Sequence, residues 1–424
     1  MHGSLLDDLA ARGLIADVTH AEALGAHLAG GRRTLYCGFD PTADSLHVGS
    51  LLPLLALRRF QLAGHRPIVL IGGGTGLIGD PSGKTTERAL NPEQQVAEWA
   101  ERLKRQVARF VDFDRGPAAA MLLDNYEWLS KLGVISFLRD VGKEFGVGAM
   151  IAKEAVRSRM GRTDVGLSYT EFSYQILQAY DFLILYRDHG CTLQIGGTDQ
   201  WGNITAGIDL IRRLLGGEAY GLTLPLVTRN DGTKFGKTEA GTVWLDRAKT
   251  SAYQMYQFWL NTADEDVVRY LRYFTFLPLP EIAALEQATR RTPERREAQR
   301  VLAAEVTRLV HGPEAEREAE RITAALFSGD VASLTAEEAA EACAAMPRLD
   351  LRGAPEPLSI TDLLVRAGLA ESRKRARELV TAGAIQVNGQ KIASPDAPVT
   401  RSAALHGRYV ILRKGKKTYH AVTL

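Results

Sequence analysis

Short apolar runs and longer helical patterns alternate along residues 32–225. Arg33–Gly38 reads as a strand. A loop follows, then Ser50–Ala63 as a helix with its leucines on one face. Arg66–Ile71 is the next strand, and Ala119–Leu123 and Thr192–Ile195 read as two more. This alternation predicts an α/β fold, a Rossmann-like parallel sheet with helices on both faces. Ligands of such sheets gather at the carboxyl ends of the strands. The glycine-rich loops after residues 36, 71 and 195 all fall there.

From residue 250 to 343 the period becomes helical. Tyr253, Tyr256, Trp259 and Leu260 share one face, and Ala283–Ala325 and Ala336–Ala345 are rich in Ala, Glu and Arg. A helical bundle is expected here. "MPRLDLRGAPEPLS", residues 346–359, carries three prolines and reads as a linker. Beyond it, Ser359-Ile360-Thr361-Asp362 resembles a helix cap, with Gly368 as the stop. A short basic helix, "ESRKRARELVTAG", and a hairpin around Asn388-Gly389 complete a small α+β module. The predicted boundaries are 1–228, 229–345, a linker over 346–357, and 358–424.

Composition narrows the function classes. The chain of 424 residues suits two or three domains. Its first twenty residues carry acids and lack a long apolar core, so they read as neither signal nor transit peptide. No run approaches membrane-spanning length. Cys37, Cys191 and Cys343 are odd in number and far apart, which suits a reducing cytoplasm and offers no metal-ligand spacing. Charge is uneven. Residues from Ala354 onward hold 12 Lys and Arg against 5 Asp and Glu, while the remainder is net acidic. A basic end on an acidic body points to a polyanion-binding module, with Arg373, Lys374, Arg375 and Arg377 as its densest cluster.

The stretch "GTGLIGDPSGKTT", residues 74–86, imitates two nucleotide motifs and satisfies neither. A P-loop needs its first glycine at 78, which is Ile78. A dinucleotide fingerprint needs a helix opening at Gly79, where Asp80-Pro81-Ser82-Gly83 is turn chemistry instead. An NAD-dependent dehydrogenase is therefore disfavoured. Three other segments carry candidate chemistry. "LYCGFDPTADSLHVGS", residues 35–50, runs from a strand to His47-Val48-Gly49 at a helix start, where helix and imidazole can face an anion; His47 alone is more often a cap or a surface residue. "IGGTDQWGN", residues 195–203, places two glycines before Asp199, suited to a ribose hydroxyl or to an ordinary cap. "NDGTKFGKTEAG", residues 230–241, reads as a mobile loop bearing Lys234 and Lys237.

Taken together, these segments resemble the class I aminoacyl-tRNA synthetases, and within them the bacterial-type tyrosyl-tRNA synthetase family. His47-Val48-Gly49-Ser50 matches the HIGH signature, with Ser50 in place of the second histidine. Lys234-Phe235-Gly236-Lys237-Thr238 matches KMSKS. Tyr36–Gly49, Gly72–Lys84, Tyr169–Phe182 and Gly196–Gly202 resemble the tyrosine enzyme in particular, and the basic tail resembles an RNA-binding domain first seen in a ribosomal protein.

The resemblance implies activation of L-tyrosine by ATP with Mg²⁺, no tightly bound organic cofactor, and transfer of tyrosine to tRNA(Tyr). It implies a cytoplasmic homodimer, not a membrane protein, with its interface in an insertion around residues 127–165. Asp80 would hold the ammonium with Tyr174 and Gln178, Tyr36 and Asp181 would meet the phenol, and Gln200 would lie beside the tyrosine. Cys37, Gly38, Gly197 and Asp199 would line the ribose, with Asp40 and Gly49 also on the adenylate. Thr42, His47, Lys84, Lys234, Lys237 and Thr238 would serve the phosphates, with Arg88 near Lys84. The alternatives are the tryptophan enzyme, disfavoured because an indole offers one N–H and no hydroxyl acceptor, and a non-catalytic RNA-binding protein on the same scaffold.

Overall fold

The computed structural model describes residues 4–424 except 83–89, 115, 154–155, 158–166, 231–234, 239–240, 356 and 416–417, and for Lys237 and Thr238 the backbone alone. The chain divides into two compact units, Met1–Lys249 with Ala263–Ala298, and Thr250–Thr262 with Gln299–Leu424. The helical region expected at 229–345 is thus shared between the two.

The first unit is built on a six-stranded sheet: β1 (Asp17–Val18), β2 (Thr34–Phe39), β3 (Arg66–Ile71), β4 (Met121–Asp124), β5 (Cys191–Gly197) and β6 (Tyr220–Leu224). The spatial order is β1-β6-β5-β2-β3-β4. The five strands from β2 to β6 pair in parallel, while β1 adds an antiparallel edge. The sequence pattern missed β1 and β6. Gly221 and Thr223 dilute the apolar run of β6, although all five of its residues are buried. Burial of Ile68, Val69, Leu70 and Ile71 on β3 is the strongest local signal, each side chain contributing about 1.5–3 kcal/mol.

The helices between strands follow the same logic. Glu93–Val107 buries Val96, Ala100, Leu103 and Val107, one stripe at helical spacing. Tyr169–His189 is capped by Ser168, which accepts from the Glu171 N–H, and stops at Gly190 in the left-handed conformation. Sequence order runs outward from β2 through β3 to β4 on one side and from β5 to β6 on the other. The carboxyl ends of β2 and β5 therefore flank the topological switch point, where open α/β sheets bind their ligands.

In the second unit, Ala252–Leu260, most of Glu297–His311, Pro313–Ser328 and Ala336–Ala344 are helical. A five-stranded sheet follows, with helices Ile360–Arg366 and Arg373–Thr381 packed on a core that includes Ile360, Leu364, Val380, Ile385 and Val410. The expected linker is corrected here. Arg348–Asp350 is a strand, pairing in parallel with Thr418–Thr423, and Leu351 is buried in the same core. The module is also fastened to the helices. Tyr419 donates to the Leu326 carbonyl at 3.0 Å, and a His406 ring nitrogen lies 2.8 Å from the Leu334 carbonyl. Gly389 at the hairpin tip meets Gly329 so closely that a Cβ there would overlap the Gly329 carbonyl oxygen.

Candidate active site

A cleft of about 510 Å³ opens at the switch point. Its walls come from the ends of β2 and β5, from the loop after β3, and from helix Tyr169–His189. Its floor is a side-chain network. Asp181, buried on that helix, accepts from Asn125 Nδ2 at 2.8 Å and from Trp128 Nε1 at 2.7 Å. Asn125 Nδ2 also donates to Thr75 Oγ1 at 2.9 Å, and Thr75 in turn donates to Asp40 Oδ1 at 2.7 Å. The other oxygen of Asp40 accepts from the Tyr174 hydroxyl at 2.7 Å.

Tyr36 lines the same end of the cleft. Its side chain is buried, and its hydroxyl has no hydrogen-bond partner among the described residues. A buried hydroxyl left unpaired costs about 1–3 kcal/mol, so this atom is poised for a ligand's polar group. Burial pushes the Tyr36 phenol well above its usual range, and the charge of Asp181 adds to this. Burial also raises the Asp181 carboxyl to about 7, against the opposing pull of the Asn125 and Trp128 donors. Tyr174 is raised chiefly by burial and then by Asp40 and Asp80. The field of these carboxylates suits an ammonium group.

Gln200 closes this end from the short turn Thr198–Gln200 just after β5. Its amide donates to Asp80 Oδ2 at 2.7 Å and to Asp199 Oδ2 at 2.9 Å. Its oxygen accepts from Gln178 and Asn203, both at 3.2 Å. Asp80 also accepts the Ser82 N–H at 2.9 Å, which pins the turn that disqualified the dinucleotide motif.

The opposite end is made largely of backbone. His47 caps helix Val48–Leu62, its Nδ1 accepting the Gly49 N–H at 2.9 Å. That bond leaves the neutral imidazole's proton on Nε2, so the ring presents a donor. Gly49 is required by this cap, because a Cβ there would lie 2.6 Å from His47 Cε1. The segment around Gly236 is laced to the same helix start. Val243 N–H donates to Gly236 O at 2.9 Å, Val48 N–H to Val243 O at 3.0 Å, and Leu245 N–H to Leu46 O at 2.8 Å. Cys37, Gly38, Thr42, Gly197, Asp199 and Phe235 also line the cleft. Burial pushes the Cys37 thiol up to about 12, so it is a weak donor rather than a nucleophile.

The chain as a whole is similar to known proteins. A model of the class I tRNA synthetases (W and Y) matches residues 29–328, and a model of the tyrosine–tRNA ligase SYY-like C-terminal domain matches residues 338–422. The tyrosine–tRNA ligase of Desulfitobacterium hafniense (strain Y51) is 55% identical over 424 residues, 99% of this chain and 100% of that one. That of Geobacillus kaustophilus (strain HTA426) is 56% identical over 419 residues, 99% of each chain. Among solved structures, a C-terminally truncated mitochondrial tyrosyl-tRNA synthetase of Aspergillus nidulans is 32% identical with a TM-score of 0.69, covering 77% of this chain and 95% of that one. The chain belongs to the tyrosine–tRNA ligase family of class I synthetases.

Of the residues singled out from sequence, the structure brings Tyr36, Asp80, Tyr174, Gln178, Asp181 and Gln200 together at one end, and Thr42, His47 and Gly49 at the other. Asp40, expected on the adenylate, also lines the cleft, and its two oxygens accept from the Thr75 and Tyr174 hydroxyls. Lys84, Arg88 and Lys234 lie outside the described residues. Lys237 and Thr238 form one strand of a two-stranded antiparallel pair, and their side chains are not described.

Sequence reasoning missed Asn125, Trp128, Thr75 and Asn203. Asn125 and Trp128 had one available signal, their place just past the carboxyl end of β4. In the second unit Arg373, Arg375 and Arg377 lie on the expected basic helix, but each is paired with a carboxylate, Asp362, Glu378 and Asp396 respectively. Such exposed pairs are weak and can exchange for phosphate.

Proposed function

We propose that this chain is a tyrosine–tRNA ligase. The tyrosine carboxylate oxygen attacks the α-phosphorus of ATP, the bond to the β-phosphate breaks, and pyrophosphate leaves. The ribose hydroxyl at the 3′ end of tRNA(Tyr) then attacks the acyl carbon and AMP departs. One observation carries the choice of amino acid: the buried Tyr36 hydroxyl, without a hydrogen-bond partner among the described residues, in the pocket that also holds Asp181. A phenol can donate to Asp181 and accept from Tyr36, whereas phenylalanine leaves the Tyr36 hydroxyl unsatisfied. Discrimination on this principle is best known from tyrosyl-tRNA synthetases themselves.

In this reading Asp80, Tyr174 and Gln178 take the ammonium, with Gln200 beside the tyrosine. Cys37, Gly38, Gly197 and Asp199 line the ribose. Because a carboxylate is already ionised at neutral pH, the first step needs alignment and positive charge rather than a base. Thr42 and His47 contribute to this, with Lys84, Lys234, Lys237 and Thr238 carried over from the signatures. Mg²⁺ arrives with ATP, held mostly by phosphates and water.

A homodimer goes with this reading. Val134, Ile135, Leu138 and Val147 are exposed apolar side chains within the insertion at 127–165, a patch of the kind that marks an interface. The basic module at the carboxyl end binds tRNA, and the buried, unpaired cysteines fit a cytoplasmic location.

The deciding assay is ATP–pyrophosphate exchange with tyrosine, tryptophan and phenylalanine in parallel. Exchange that depends on tyrosine is expected. Tryptophan-dependent exchange, or none with any of the three while tRNA still binds, would overturn the proposal in favour of one of its alternatives.

A further inference from the structure

The segment bearing the second signature is held from a side the cleft does not reveal. Phe235, between Lys234 and Lys237 in sequence, stacks on Phe274 with ring centroids 5.4 Å apart and planes 11° apart. It also meets Tyr270 edge-on at 5.2 Å. Tyr270 and Phe274 are one helical turn apart on helix Asp264–Phe274, both buried, so together they present a single aromatic face.

The same helix grips the chain that leads into the signature. Arg269 and the Tyr270 hydroxyl both donate to the Thr228 carbonyl, at 2.7 and 3.0 Å, and Asp266 accepts the Asn230 N–H at 3.1 Å.

The helix is itself fastened at its exit. Arg59, almost fully buried, donates to the Thr275 carbonyl at 2.5 Å and lies over the Phe276 ring at 4.7 Å. Arg12 donates to the Leu277 carbonyl at 3.0 Å. Arg59 belongs to helix Val48–Leu62, the one His47 caps. Helix Asp264–Phe274 thus connects the two signatures through buried contacts, apart from the backbone bonds around Gly236.

We propose that Phe235 is a positioning residue for phosphate activation. Its ring keys the signature segment onto the Tyr270–Phe274 face, which fixes the register of the Lys237 backbone relative to the helix start at His47. The inference rests on the ligase reading above and adds to it a residue that acts through the aromatic face it packs on.

The test is pre-steady-state formation of the adenylate by the full-length protein, with Phe235→Ala and Phe235→Met compared to the parent. Two aromatic contacts are lost in Phe235→Ala, and the rate at saturating substrates should fall about ten- to a hundredfold. Tyrosine affinity, measured separately, should stay within about twofold and doubles as the folding control. Phe235→Met keeps an unbranched apolar group against the rings and should recover most of the rate. If the ring acts through Lys237, the double variant Phe235→Ala/Lys237→Ala should be scarcely slower than Lys237→Ala alone.

A Phe235→Ala rate equal to the parent's overturns the inference, as do losses that simply multiply in the double variant. So does tyrosine binding that weakens as much as the rate. Failure of the ligase reading would look different, since the parent itself would then show no tyrosine-dependent exchange.

Discussion

At the end of the cleft proposed for the amino acid, side chains bond to side chains. Trp128, Asn125, Asp181, Thr75, Asp40 and Tyr174 are linked by hydrogen bonds of 2.7–2.9 Å. At the end proposed for the nucleotide the bonds around Gly236, Val243 and Val48 run from backbone to backbone. The first arrangement spells out which polar groups a ligand must bring, because each buried donor or acceptor left over carries a desolvation cost. The second says little about ligand identity. It sets where a helix start and a charged segment stand, which is what an in-line displacement at phosphorus asks for. Changes at the first end should therefore alter which substrate is used, and changes at the second should alter how fast.

Lys237→Ala puts the largest strain on that division. Removing one preorganised charge should slow adenylate formation by roughly two to three powers of ten. Tyrosine affinity, measured by equilibrium binding, should barely move. Weak tyrosine binding with a normal rate at saturation would mean that the two ends do not divide the labour in this way.

Asp181→Asn comes next. An amide can satisfy only one of the two donors now held by the carboxylate, and kcat/KM for tyrosine should drop about a hundredfold with ATP KM nearly unchanged. The same residue predicts a pH effect. Its folded-state carboxyl, raised to about 7, is neutral below that pH in the free protein. Its contribution to stability is therefore present below the ordinary carboxylate range and is lost as pH rises through about 7. Phenol recognition runs the opposite way, since the charged carboxylate, the stronger acceptor for a phenol O–H, exists only above that pH. A profile of kcat/KM for tyrosine should show an acid limb near pH 7, and the limb should vanish in Asp181→Asn.

The smallest effect sharpens the comparison most. Tyr36→Phe removes a hydroxyl that has no partner among the described residues, so little else is disturbed. Tyrosine activity should fall modestly, and the preference for tyrosine over phenylalanine should narrow by about tenfold, the scale of one neutral hydrogen bond. An unchanged ratio of the two kcat/KM values would place Tyr36 outside the recognition pocket.

Where the chain's information is local, the sequence could be read closely. Arg66–Ile71 is a strand at the residues its apolar run indicated, and the Ser359 cap, the Gly368 and Gly383 stops and the Asn388-Gly389 turn stand where their chemistry put them. The signature segments were legible for the same reason, being short, contiguous and rich in residues with few other uses. What could not be read depended on distant partners. Arg348–Asp350 lies in a proline-bearing stretch and becomes a strand only because Thr418–Thr423 offers it an edge. Asn125 and Trp128 meet Asp181 across more than fifty positions, and their place just past β4 marks them as site candidates without naming that partner. Asp40 bonds to Thr75 and Tyr174, which arrive from two other elements, and its own turn announces neither partner. His47 met both readings at once: it is a cap, and by being a cap it turns its other nitrogen into a donor.

The three bonds that lace Val48, Val243 and Leu245 to their acceptors have a use as a clock. Each of these amide hydrogens is shielded in this arrangement and open to solvent once the two segments part. Their deuterium uptake, read against amides in the buried β3 strand, converts opening of the segments into a free energy without any catalytic turnover. ATP, tyrosine or a substitution at Phe235 would each register as a change in three adjacent exchange rates, so the readiness of the site becomes measurable in the resting protein.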